Sequence, residues 1–104
     1  MSLEVFNKVM NDILNDFDQI VTIHNELKQV TIKIPQSKLY EIKCLLNIMY
    51  MNVNQKPDHL NQYHDFLEIS IAAIGSLVDY SKSIGGKFEI SILELIEKIK
   101  YYLG

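Results

Sequence analysis

The sequence predicts an all-α protein, a compact four-helix bundle, and three observations lead there. Apolar residues recur every three or four positions along four separate stretches, the connections between them are short, and the strongest break, Gly85-Gly86, falls between two stretches. A length of 104 residues fits one domain, predicted to span 1–104. Apolar residues make up 48% of the chain and the net charge is only -3, so the composition is that of a folding chain with a real core.

The first helix is predicted over 3–27. Leu3, Phe6, Met10, Ile13, Phe17, Ile20, His24 and Leu27 lie along one line, and Ser2 is placed to cap it. Asp12 and Asp16 share a face with polar neighbours and read as solvated surface. Within 29–34 the pattern changes: Val30, Ile32 and Ile34 alternate with Thr31 and Lys33, the period of a half-buried strand. Phe88, Ile90 and Ile92 form the only other alternating stretch. Pairing the two would make the fold α+β, which is the alternative to the helical bundle.

The second helix is expected over 37–53, after the start signals Pro35 and Ser37. Leu39, Ile42, Leu45, Leu46, Met49 and Val53 form its core face. Tyr40, Cys44, Ile48 and Met51 gather on the far side. A helix apolar nearly all round is either the most buried one or has one face against a partner. The third helix is expected over 59–83, capped by Asp58, with Leu60, Tyr63, His64, Leu67, Ile71, Ile74 and Val78 inward. Ala72 and Ala73 would admit a close neighbour, and Gly75 is a packing concession or a mild kink. Ile69 points away from that line, with Phe66 beside it.

Gly85-Gly86 closes the third helix. The fourth begins between Gly86 and Ser91, where Ser91 and Glu94 would form a capping box, with Ile92, Leu95, Ile96, Ile99 and Leu103 inward. Glu94 and Lys98 are spaced for an i,i+4 ion pair, and Tyr101 projects outward.

Sites for chemistry are sparse. His59, His64, Asp65 and Glu68 start the third helix, and His64 with Glu68 could supply two ligands to one ion. Zinc requires three or four, and no second His pair or Cys pair supplies the rest, so no metal or cofactor is expected. His24 as a general base would need Cys44 and Asp65 near it, and nothing in the spacing brings them together. Ser83 to Lys87 superficially suggests a phosphate cradle, but it lacks the full motif length and follows no predicted strand. The chain is expected not to be an enzyme.

All ten cationic residues are Lys and the 13 acidic groups are interspersed with them. Without the guanidinium fork or a basic block, direct nucleic-acid binding is disfavoured. Cys44 is the only cysteine, the start shows no secretory signal, and no run approaches a membrane span, so a cytoplasmic, non-membrane protein is expected. What stands out is surplus apolar and aromatic helical surface: Tyr40, Cys44, Ile48 and Met51, with Ile69 and Tyr101. These are the candidate binding residues. The function expected is that of a small non-catalytic protein-binding or regulatory protein, an inhibitor, immunity-type protein or adaptor, with another protein or a second copy as partner. A structural or assembly subunit forming homo-oligomers is the alternative, and a DNA-binding regulator stands behind both.

Overall fold

The computed structural model describes residues 2–27, 36–55 and 62–104. The predicted extended segment at 29–34 lies outside the described residues, as do His59 and Leu60. The described residues form α1 (Leu3–Glu26), α2 (Gln36–Gln55), α3 (Gln62–Gly75), α4 (Val78–Ile84) and α5 (Gly86–Leu103). There is no strand among them.

The start of α1 is set by Ser2, whose Oγ accepts the Val5 N–H at 3.2 Å and so satisfies one of the unpaired first-turn donors. Its buried stripe is Phe6, Val9, Met10, Ile13, Phe17 and Ile20. Leu3, His24 and Leu27, at the two ends of the predicted line, are only half-buried. Among the described side chains of α2 the buried ones are Leu39, Ile42, Leu46 and Met49, spaced three and four apart, and Val53 of the expected core face lies outside them.

The expected single third helix is two. In a continuous helix the Leu77 N–H would bond the Ala73 carbonyl. Here Ser76 Oγ donates to that carbonyl at 2.6 Å, and the Leu77 N–H turns to the Ile74 carbonyl at 3.0 Å. Gly75, a poor helix former, sits where this tightened turn begins. The inward line also differs from the expected one. It runs Tyr63, Leu67, Ser70, Ile74, Leu77, Ser81, whereas His64 is exposed and Ile71 and Val78 are half-buried. Two serines can sit fully buried because each donates to its own helix: Ser70 Oγ to the Phe66 carbonyl at 2.8 Å, and Ser81 Oγ to the Val78 carbonyl at 2.7 Å.

Gly85 has φ 70° and ψ -165°, and Gly86 has φ 59°, so the turn between α4 and α5 uses backbone conformations that L side chains rarely adopt. Because α5 starts at Gly86, Ser91 lies inside the helix and no capping box forms there. The strand alternative for 88–92 fails for the same reason. A strand would put Phe88, Ile90 and Ile92 on one face, but Phe88 and Ile92 are buried while Ile90 is exposed, the signature of an i,i+4 helical pair.

Cross-helix contacts give the topology. Asp16 meets Lys98, Asp12 meets Tyr102 and His24 meets Phe88, so α1 and α5 run antiparallel. Ile42 and Leu45 of α2 line one groove with Ile69, Ala72 and Ala73 of α3, so these two helices are neighbours as well. Phe6 stacks on Tyr63 with ring centroids 4.3 Å apart and planes within 11°, and lies 6.1 Å from Phe66, which ties the starts of α1 and α3 across the middle. The result is a compact four-helix bundle whose third member is broken. α5 packs on α1, α3 and α4, whereas α2 packs on α1 and α3. That leaves α2 with an open outer side.

Candidate functional site

Tyr40, Cys44, Ile48 and Met51 share the outer side of α2, opposite Leu39, Ile42, Leu46 and Met49. Tyr40 is 68% exposed, Ile48 55% and Met51 56%, and Cys44 is half-buried. None of the four is sealed in the core. They are neighbours by helical geometry, three or four positions apart. At the margin of that face, Lys43 Nζ meets Asp18 of α1 at 2.8 Å. That hydrogen bond holds the Lys43 ammonium pKa above its usual range. This ion pair clamps one edge of α2 to α1.

The other edge of α2 does not close. Between α2 and α3 lies a shallow groove of about 410 Å³ lined by Lys38, Glu41, Ile42, Leu45, Ile69, Ala72, Ala73 and Ser76. Leu45 belonged to the expected core face, yet it is 36% exposed, and Ile69 opposite it is 44% exposed. The cause is on α3: Ala72 and Ser76 have too little side chain to fill the space beside Leu45. The Ala72-Ala73 pair, expected to admit a close neighbour, lines a gap that α2 leaves open. The alanine pair was the available sequence signal for this groove, but its meaning depended on how far away α2 lies. Leu45 and Ile48 are three apart on α2, so the groove and the outer patch adjoin.

Ile69 thus joins the α2 surface across the groove, but Tyr101 does not. Tyr101 is 82% exposed on α5, packed edge-on against Tyr102, and α5 is not a main neighbour of α2. Phe66, expected beside Ile69 at the surface, instead packs against the core near Phe6.

The other candidate clusters are less organised. His64, Asp65 and Glu68 present ligand atoms within 4.8 Å of one another, and His64 Nδ1 lies 3.6 Å from Glu68 Oε1. All three are exposed and come from adjoining turns of one helix. His24 rests on the Phe88 ring at 5.8 Å, with Nδ1 lacking a partner among the described residues. Asp65 adjoins Phe66 near the start of α1, so His24, 18 residues further along α1 from Phe6, lies roughly 27 Å away. The three parts of the conceivable His24, Cys44 and Asp65 constellation are not brought together.

Between α1 and α5 a polar hollow of about 210 Å³ is lined by Asp16, Gln19, Ile20, Ser91, Glu94, Leu95 and Lys98. Lys98 does not make the expected bond to Glu94. Its Nζ donates to Asp16 Oδ2 at 2.8 Å, because α1 offers a carboxylate across the seam. This hydrogen bond raises the Lys98 pKa against the opposing effect of partial burial. Asp12 likewise reaches α5, through a long 3.5 Å contact from the Tyr102 hydroxyl. The two aspartates read as plain solvated surface are therefore part of a helix seam.

Ser83 to Lys87 is a helix-to-helix turn with no strand before it and no side-chain cap at the start of α5. Among the described residues no helix is long and apolar enough to cross a membrane. The molecule is thus defined by its fold and surface: a small all-α bundle with an aromatic cluster inside and an apolar groove beside an exposed apolar helix face. No protein-family model, characterised protein or solved structure matches the chain.

Proposed function

We propose that this chain is a non-catalytic protein-binding or regulatory protein, of the inhibitor, immunity-type or adaptor kind, acting through the outer side of α2. One observation carries the reading: Tyr40, Ile48 and Met51 lie mostly in water on a helix whose opposite side already supplies the core. Each apolar square ångström covered by a partner is worth about 25 cal/mol, and Tyr and Met are common at protein interfaces. The outer face carries no cationic row that would recruit a phosphate backbone, and Lys43 beside it is paired with Asp18. A lone thiol at Cys44 fits work in a reducing cytoplasm.

Affinity capture from the native host, with wild-type protein and Ile48→Asp in parallel, tests the proposal. The expected result is a partner retained by the wild type and lost by a folded variant. If Ile48→Asp keeps its helical circular dichroism and every partner, the outer face of α2 is not the binding surface. A gel-filtration mass of a dimer that Ile48→Asp dissolves would assign the same face to homo-oligomer assembly.

A further inference from the structure

We infer that the outer face of α2 docks on a second copy of this chain, with the two α2 helices antiparallel. The inference rests on the protein-binding role of that face and names its partner. Tyr40, Ile48 and Met51 are each more than half exposed, and Cys44 between them is half-buried. Together the four hold roughly 400 Å² of apolar surface in water, the size of the largest patch on a monomer, which is often functional. Two copies meeting there would cover about 800 Å² of it. That is the apolar share of an interface of about 1,400 Å², within the size range of stable dimers.

Charge selects the partner and its direction. The charged residues of α2 are Lys38, Glu41 and Lys43, all in its first half, and Cys44 to Gln55 holds none. Charges across an interface are what discriminate one foreign partner from another. This face offers almost none, since Lys43 at its margin is already paired with Asp18. A second copy needs no such code, because an isologous contact uses the same apolar patch twice. A parallel pair of α2 helices would set Lys38, Glu41 and Lys43 each beside its own image. An antiparallel pair lays the charged half of each over the uncharged half of the other and opposes their dipoles. The spacing agrees. The steps from Tyr40 through Cys44 and Ile48 to Met51 are four, four and three residues, so reversal sets Tyr40 against Met51 and Cys44 against Ile48. A net charge of only -3 per copy adds little repulsion.

Sedimentation equilibrium of the full chain tests this and should show twice the chain mass by about 100 μM. Ile48→Asp acts on both sides of the two-fold axis and should weaken dimerisation at least about 100-fold. Tyr101→Asp, on α5 and away from α2, should leave it unchanged. Tyr40→Glu and Met51→Lys should each weaken it about tenfold or more. Combined in one chain, they should dimerise at least about tenfold more tightly than either alone. The two positions lie about 16 Å apart along one helix, so such a rescue joins two copies. Circular dichroism and urea unfolding check that each variant is folded. Three results overturn the proposal: a wild type that stays monomeric at about 100 μM, a dimer that Tyr101→Asp dissolves as readily as Ile48→Asp, or a double variant no tighter than the single ones. A monomer that loses host partners on Ile48→Asp overturns the second copy and leaves the protein-binding role standing. A monomer that keeps them all on Ile48→Asp overturns both.

Discussion

The α1–α5 seam and the α2–α3 seam are both helix pairs in one small bundle, and they finish differently. Along α1–α5 large side chains meet from both sides: Ile13, Phe17 and Ile20 against Phe88, Ile92, Leu95 and Ile99, all buried. Their outer edge is then bridged by Lys98 to Asp16. Along α2–α3 the inner line is as well buried, with Ile42, Leu46 and Met49 opposite Leu67 and Ile74. Its outer edge, however, has Ala72 and Ser76 where the first seam has long side chains, and no ion pair joins α2 to α3 among the described residues. The contrast shows that helix pairing needs only the inner line. Whether the outer edge closes depends on side-chain size and on charges that reach across.

The comparison can be broken most forcefully at Phe88. This residue is fully buried on the closed seam, so Phe88→Ala should cost about 3–5 kcal/mol in urea unfolding. A loss below about 1 kcal/mol would mean that the seam is not packed as described.

Next in size is the turn that sets where α5 begins. Gly85 has its φ at 70°, so Gly85→Ala should cost about 1–3 kcal/mol although its Cβ would meet no atom within 4 Å. The penalty comes from the backbone alone. Replacement by D-alanine through chemical synthesis should therefore recover most of it.

The bridge across the closed seam is smaller. Lys98 and Asp16 are each about a third exposed, so Lys98→Met should cost no more than about 1 kcal/mol near neutral pH. The ion pair raises the Lys98 pKa in the folded state. Its contribution is therefore complete below the unfolded lysine value of about 10.4 and is lost as pH rises through the higher folded value. Unfolding midpoints of wild type and Lys98→Met should converge as pH rises through that alkaline window.

The open seam should give the smallest effects. Leu45→Ala should cost only about 1 kcal/mol, because about a third of the residue is already in water. Ala72→Leu should fall within about 0.5 kcal/mol of wild type or be stabilising, since it places a side chain into open space. Destabilisation by Ala72→Leu like that of an overpacked core would erase the distinction between the seams.

Much of the fold was legible in the residues. The stripe from Phe6 to Ile20, the Ser2 cap, the helical spacing through 39–49 and the Gly85-Gly86 turn are all local. Each depends on periodicity or on one residue's backbone preference. The misses were also specific. Ser70 and Ser81 looked polar and are core, because hydrogen bonds to their own helix satisfy them. His64 looked like core and is exposed, because α3 turns Tyr63, Leu67 and Ser70 inward. The break after Gly75 needed Ser76 to divert the Ala73 carbonyl, a competition that an apolar pattern does not register. On the candidate surface, Tyr40, Ile48, Met51, Ile69 and Tyr101 have outward spacing and are exposed, whereas nothing in the spacing marks Leu45 and Ala72 as groove.

By itself the chain determined which residues line up on each helix, because 3.6 residues per turn and the chirality of the backbone act within a few positions. It also determined where the last turn must fall, since the positive φ at Gly85 and Gly86 suits little else. Only the tertiary structure decided that Lys98 would find Asp16 instead of Glu94, that Tyr101 would lie away from α2, and that the edge beside Leu45 would stay open. Those outcomes depend on distances between helices far apart in sequence. A periodic pattern gives the direction a side chain takes from its helix, but not what stands opposite it.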